Sequence, residues 1–202
     1  FVCGQTYGGV GTTGVDLTPS DFRLYIHDVR LVTAGGDEVP LVLDRDGPCR
    51  TGAEPACWQY EDLALLDFEN KVRPCNLGTV QTNSIVRGHA PPYDYRGLRF
   101  SLGVPFDLNH NDPATAPVPL SLSALFWSWQ SGYKFMRIDT ALDNYRVHLG
   151  STGCMTGEGD RVVSCQRPNR GAVDLELPSG LGGTIVADLG RLLEDSDLNE
   201  NQ

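Results

Sequence analysis

No run of about 18 apolar residues occurs in this chain, so no segment of it reads as a membrane-spanning helix. Basic residues are scarce: 16 Lys and Arg stand against 26 Asp and Glu, a formal charge of -10. No basic stripe stands out. Phosphate backbones and anionic lipid surfaces repel such a chain, which argues against nucleic acid or a membrane surface as partner and leaves a cation or a basic protein as compatible ones. H-E-x-x-H, G-x-S-x-G and C-x-x-C are all missing, which removes the zincin, serine-hydrolase, zinc-ribbon and thioredoxin templates. GGVGTTG lacks the Lys of a phosphate loop, and the Ser in HLGSTGC is near a His only along the chain. The chain is therefore not expected to be an enzyme. There is no long Ser/Pro/Gly-rich or charge-only linker, so a single domain over 1–202 is expected, with a polar tail from about residue 195.

The 40% hydrophobic content suffices for a core, and 23 Gly with 13 Pro punctuate it into short elements. The expected fold is mainly β, an antiparallel β-sandwich-like domain with short helices and disulfides. Strands are predicted over 22–33, 39–43, 63–68, 97–106, 133–138, 145–149, 173–177 and 184–187. The first two would form a hairpin across AGGDE, with a bulge near His27 and Asp28, where the apolar parity slips. Short helices are predicted over 121–130 and 189–194.

The cysteines are Cys3, Cys49, Cys57, Cys75, Cys154 and Cys165. An even number at wide spacing fits three disulfides in an oxidising compartment. Cys49/Cys57 and Cys154/Cys165 each bracket a short turn-rich loop and could pair locally, which would leave Cys3 with Cys75, although other connectivities remain open. The chain begins within what reads as mature sequence, so an export signal is expected to have been removed.

Histidine is the commonest metal ligand. His27 sits at the expected bulge, His110 in the loop sequence NHND, and His148 on the strand face opposite Tyr145, Val147 and Leu149; His89 lies in a plain turn. Trp127 and Trp129 would share a face on a strand and diverge on a helix; Trp58 follows Cys57. Asp195, Asp197 and Asn199 have the spacing of the first calcium-loop ligands, but Glu200 occupies the turn-Gly position. They read as a solvated turn, as do Asp44 and Asp46, with calcium a weak alternative.

CGQTYGGVG, DFRLYIHDVRLV, LALLDFEN, LRFSLGVPFDLNHND, LFWSWQSGYKFMRID and HLGSTGC, in that order, resemble the MbnP family, also described as metallo-mystery-pair four-Cys proteins, with CorA-type and MopE-type copper proteins as relatives. The resemblance spans Cys3 to about Leu189. It implies a β-rich protein exported to the periplasm or cell surface, and a dihaem partner related to cytochrome c peroxidases and MauG that oxidises a tryptophan to kynurenine. It further implies a Cu(I) held by two histidines and that kynurenine. On the motif positions the implied ligands are His27 and His110, with His148 third, and the implied modified residue is Trp127 or Trp129, with Trp58 in reserve. The W-x-H of MopE-type sites is absent here. Against the four-Cys pattern, Cys49 and Cys57 would be the additional pair. A non-metal interaction protein that docks on, or donates electrons to, such a dihaem enzyme is the rival reading.

Overall fold

A computed structural model describes residues 2–45, 57–141 and 145–200. In chain order the strands are β1 (Tyr7–Val10), β2 (Val15–Leu17), β3 (Pro19–Thr33), β4 (Glu38–Pro40), β5 (Val42–Leu43), β6 (Gln59–Tyr60), β7 (Leu63–Asp67), β8 (Gly88–His89) and β9 (Tyr95–Leu102). A single helical turn α1 (Phe106–Asn109) and a 3-10 turn (Ser123–Leu125) follow. Then come β10 (Phe126–Ser128), β11 (Gly132–Tyr133), β12 (Met136–Thr140), β13 (Arg146–Leu149), β14 (Thr152–Thr156), β15 (Val162–Arg167), β16 (Gly171–Glu176) and α2 (Leu189–Leu192).

β3 is the spine of an eight-stranded antiparallel sheet. One of its edges pairs first with β12 and then with β9, the other first with β7 and then with β4. Where β12 gives way to β9, Tyr25 carries the connection: its N–H donates to the Phe135 carbonyl and its carbonyl accepts from Gly103 N–H, both at 2.8 Å. Strand side chains alternate between faces. Tyr25 therefore enters a core with Leu63, Leu65, Val104, Leu120, Leu125, Tyr133 and Phe135, while Ile26 enters a second core with Val29, Leu43 and Ala64. Ile26 and Val29 share that core across an odd spacing because the expected bulge is real. Asp28 has φ 51° and the register shifts between His27 and Arg30, so the core-facing parity flips. Both faces of the sheet are covered, which is the sandwich-like, mainly β arrangement expected.

Several boundaries differ from expectation. The strand expected over 39–43 splits: β4 pairs with β3, whereas β5 crosses to β8. The strand expected over 97–106 stops at Leu102, because Gly103 adopts φ 124° and the chain turns into α1. A Cβ at Gly103 would lie 2.9 Å from the Phe135 ring. Gly103→Ala is expected to cost about 1–3 kcal/mol in urea denaturation, from backbone strain plus that clash; a cost below about 0.5 kcal/mol would contradict this placement. The helix expected over 121–130 is a 3-10 turn followed by β10, since Phe126 pairs with Tyr133 and Leu125 is buried beside it. Residues 184–187 form no strand. The helix expected over 189–194 is one turn, capped by Asp188, whose side chain accepts from Arg191 N–H.

Cys3–Cys75 and Cys154–Cys165 are bonded as expected. Cys49 lies outside the described residues; Cys57 is buried and disulfide-bonded. The segment expected as a polar tail docks: Leu198 is buried with Val10, Leu17, Tyr145 and Leu193. Thr12 N–H donates to the Ser196 carbonyl, and Asn199 Nδ2 donates to Thr13.

The Tyr25 face also buries charge. Arg23 donates to Asp21 through Nε (2.8 Å) and Nη2, and pairs in register with Asp67 on one side and Arg137 on the other. Arg137 lies 3.1 Å from Asp21 and also bonds Asp139, whose Oδ1 accepts from His148 Nε2 at 2.6 Å. Among the described residues Asp67 Oδ2 is buried without a hydrogen-bond partner, and Glu69 is buried near it. Two guanidinium groups thus face four carboxylates.

Candidate functional site

Pro105 opens α1, and the turn delivers Asn109 and His110 side by side. Asn109 is fully buried; its Oδ1 accepts from Tyr133 N–H at 2.9 Å, so its amide nitrogen faces the other way, 3.2 Å from His110 Nε2. An amide nitrogen only donates, so His110 Nε2 carries the lone pair. The opposite ring nitrogen gives the same answer: Nδ1 lies 3.1 Å from the Trp129 carbonyl, which only accepts. The ring stands edge-to-face on Phe106, centroids 5.3 Å apart, in a cleft of about 130 Å³ lined by Phe106, Asp107, Asn111, Trp129 and Val162. Burial first, then the Arg170 guanidinium, holds this imidazole below its ordinary pKa despite the opposing Trp129 bond. Its Nε2 accepts from Asn109 Nδ2 and lies 3.7 Å from Cys165 Sγ.

His148 is anchored through the opposite nitrogen. Its Nε2 is bound to Asp139 Oδ1, so Nδ1 carries the lone pair of the neutral ring, in the manner of a carboxylate–histidine–metal arrangement. Burial would raise the Asp139 pKa, but the His148 and Arg137 bonds outweigh it and hold the carboxyl well below the usual range. The Trp127 ring tilts against His148, centroids 6.5 Å apart, and packs on Gly150.

His27 binds the Gly103 carbonyl through Nδ1 at 2.9 Å, which leaves Nε2 with its lone pair. It shares its sheet face with His148, whose opposite number is Arg137 and then Arg23. Two strand spacings across and four residues along separate the two backbones by about 16 Å. The three motif histidines therefore do not gather around one point. Two of them bracket the FWSWQ segment instead: His148 on Trp127, His110 on Trp129. His89 is exposed, 3.3 Å from Asp44. Trp58 packs against the Tyr25 core. Asp197 Oδ1 accepts from Asn199 N–H within the C-terminal turn. Among the described residues, the only three His, Cys, Asp or Glu ligand atoms within 4.8 Å of one another belong to His110, Cys154 and Cys165. The sequence shows each of these three residues but contains no signal that they meet.

An antiparallel β protein, disulfide-bonded and carrying histidines fixed through one ring nitrogen, is the class that fold and site define. The chain belongs to the MbnP family, whose model matches residues 1–202. Among solved structures it is similar to MbnP from Methylosinus trichosporium, with 28% sequence identity and a TM-score of 0.69. That match covers 88% of this chain and 66% of the other, so this chain spans just under two thirds of its relative's length. No curated protein matches.

Proposed function

We propose that this protein is an exported copper-binding member of the MbnP family, serving copper acquisition, storage or delivery in the periplasm or at the cell surface. It holds Cu(I) through imidazoles, His110 foremost, and through a tryptophan of FWSWQ oxidised to kynurenine by a dihaem, MauG-related partner. It is not an enzyme in its own right. One observation carries the reading: each motif histidine is tied through one ring nitrogen to an acceptor in the fold, so that in the neutral ring the other nitrogen is the one with the lone pair. Outer-shell bonds of this kind fix ligating histidines. Cu(I) accepts few ligands and takes imidazole nitrogen readily, and a kynurenine would supply an aniline nitrogen that intact indole lacks.

The test is an anaerobic Cu(I) titration against a chromophoric chelator, on protein produced with and without the dihaem partner. His110→Ala is expected to weaken binding about tenfold or more, and partner-treated protein to bind more tightly than untreated. Unchanged affinity after converting His27, His110 and His148 together to Ala overturns the proposal. The exposure of Trp127 (37%) and Trp129 (50%) favours a second reading, a contact surface that passes electrons to a dihaem enzyme without holding metal. Intact mass separates the two, because conversion to kynurenine makes the chain heavier whereas electron relay leaves it unchanged.

A further inference from the structure

We propose that the Cys154–Cys165 disulfide is a closed, reducible metal site: opened to two thiols, it joins His110 Nε2 as a Cys2His set for a soft or borderline cation such as Zn(II) or Cu(I). This does not rest on the copper reading above, which uses no sulfur.

The geometry makes the case. Cys154 and Cys165 are directly opposed across the β14–β15 ribbon. Both sulfurs lie within 4.8 Å of a histidine nitrogen from a distant part of the chain, with Cys165 Sγ 3.7 Å from His110 Nε2. That nitrogen carries the lone pair, as the Asn109 and Trp129 contacts both require, and metal binding would replace its bond from Asn109 Nδ2.

The donors also share a support that survives opening of the S–S bond. The Trp129 carbonyl holds the imidazole, and the adjoining Gln130 amide donates to the Cys154 carbonyl at 3.1 Å. Backbone pairs on either side of the cystine, Thr152 with Arg167 and Met155 with Ser164, keep the ribbon closed. The cystine itself is not exposed, but its neighbours Thr152, Gly153, Met155 and Arg161 are, so solvent borders this end of the ribbon.

The chemistry balances. A dithiol reductant attacks the cystine, its two sulfurs become a disulfide, and its two electrons and two protons leave Cys154 and Cys165 as thiols. Metal binding then displaces those protons to solvent, because the thiolate is the ligand. Two thiolates and one imidazole are a common zinc donor set and also suit Cu(I). Oxidised, each sulfur is bonded to its partner and the set is lost. The site therefore takes up metal under reducing conditions and gives it up on oxidation.

The probe is Co(II), added anaerobically to protein reduced with a phosphine that is then removed by gel filtration. Reduced wild type is expected to bind one equivalent with a sulfur-to-cobalt charge-transfer band that Zn(II) abolishes; oxidised protein shows no band. Cys154→Ser/Cys165→Ser, reduced alike, is expected to show none, although its other cysteines are reduced too. His110→Ala keeps both thiols and is expected to bind cobalt about tenfold or more weakly. The proposal is overturned if the band is missing from reduced wild type, persists in the double serine variant, or is unaffected by His110→Ala. Loss of the near-ultraviolet circular dichroism of reduced wild type also overturns it, since the site requires an intact ribbon. His148→Ala, which removes the imidazole beside Trp127 and leaves the cystine untouched, should leave the cobalt band unchanged while weakening Cu(I) binding by the unreduced protein, so the two proposals fail separately.

Discussion

Replacing Arg23 by Met should cost this protein about 3–5 kcal/mol, the range for stranding buried charge when one partner is removed. The side chain is 1% exposed and sits among carboxylates. Burial alone would lower its pKa, but the bonds and charge of Asp21, with Asp67 and Glu69 behind, more than reverse this and keep it ionised. Met fills most of the volume, so cavity formation contributes little, and the loss isolates the charge. Asp21 would keep Arg137, 3.1 Å away, and the weaker pull of Lys134, and Asp67 would lose the guanidinium opposite it. Domains of this kind hold about 5–15 kcal/mol in all, so the urea midpoint should fall by about a fifth or more, with disulfides intact in both proteins. A shift equivalent to under about 1 kcal/mol would mean that the network is not the sealed, charge-coupled unit described.

The second large effect is a pH dependence. Burial, countered by Arg23 and by the Glu69 N–H, raises the Asp67 pKa from 3.8 to about 7, and the Asp21 and Glu69 charges add to the rise. A pKa raised on folding means that the folded state keeps a proton the unfolded chain has already released. Stability from this group is thus fully present below about pH 4 and is lost as pH rises through about 7, for a total on the order of a few kcal/mol. Asp139 is shifted the other way, and its contribution is lost only below the ordinary carboxylate range, outside this window. Asp67→Asn keeps the Oδ1 acceptor that Glu69 N–H uses and cannot ionise. Urea midpoints measured across about pH 4.5 to 8.5 should decline in wild type and run much flatter in Asp67→Asn, with the variant the more stable at the alkaline end. Glu69, raised in the same direction by burial, should leave a residual slope. Parallel curves for the two proteins would place the missing proton elsewhere.

Neither effect is visible in the linear sequence, and the reason is specific. In DFRLY the alternation is plain, but Asp21 and Arg23 read as the wet face of a half-buried strand. They are buried on the face they share with Tyr25, beside the Arg137 and Asp139 that β12, over a hundred residues further on, places opposite. Local periodicity says which side chains share a face; it does not say what will cover that face. Where the information is local, it reads through. The parity slip at His27 and Asp28 is the bulge, His148 does lie opposite Val147 and Leu149, and both described cystines join the expected cysteines. Where distant pairing decides, it does not. The stretch over 121–130 reads as a helix, yet 126–128 becomes a strand because Phe126 finds Tyr133. His110 and the second cystine are each conspicuous alone, yet only the folded chain brings a lone pair to the sulfurs.

The docking of the last described residues changes what fraying means for this molecule. Here Leu198 shares a hydrophobic cluster with Val10 and Leu17, and Thr12 and Thr13 grip Ser196 and Asn199. Neither segment, 10–17 or 193–199, can lift without exposing the apolar surface that seals the other, so the two come away as a pair or stay shut.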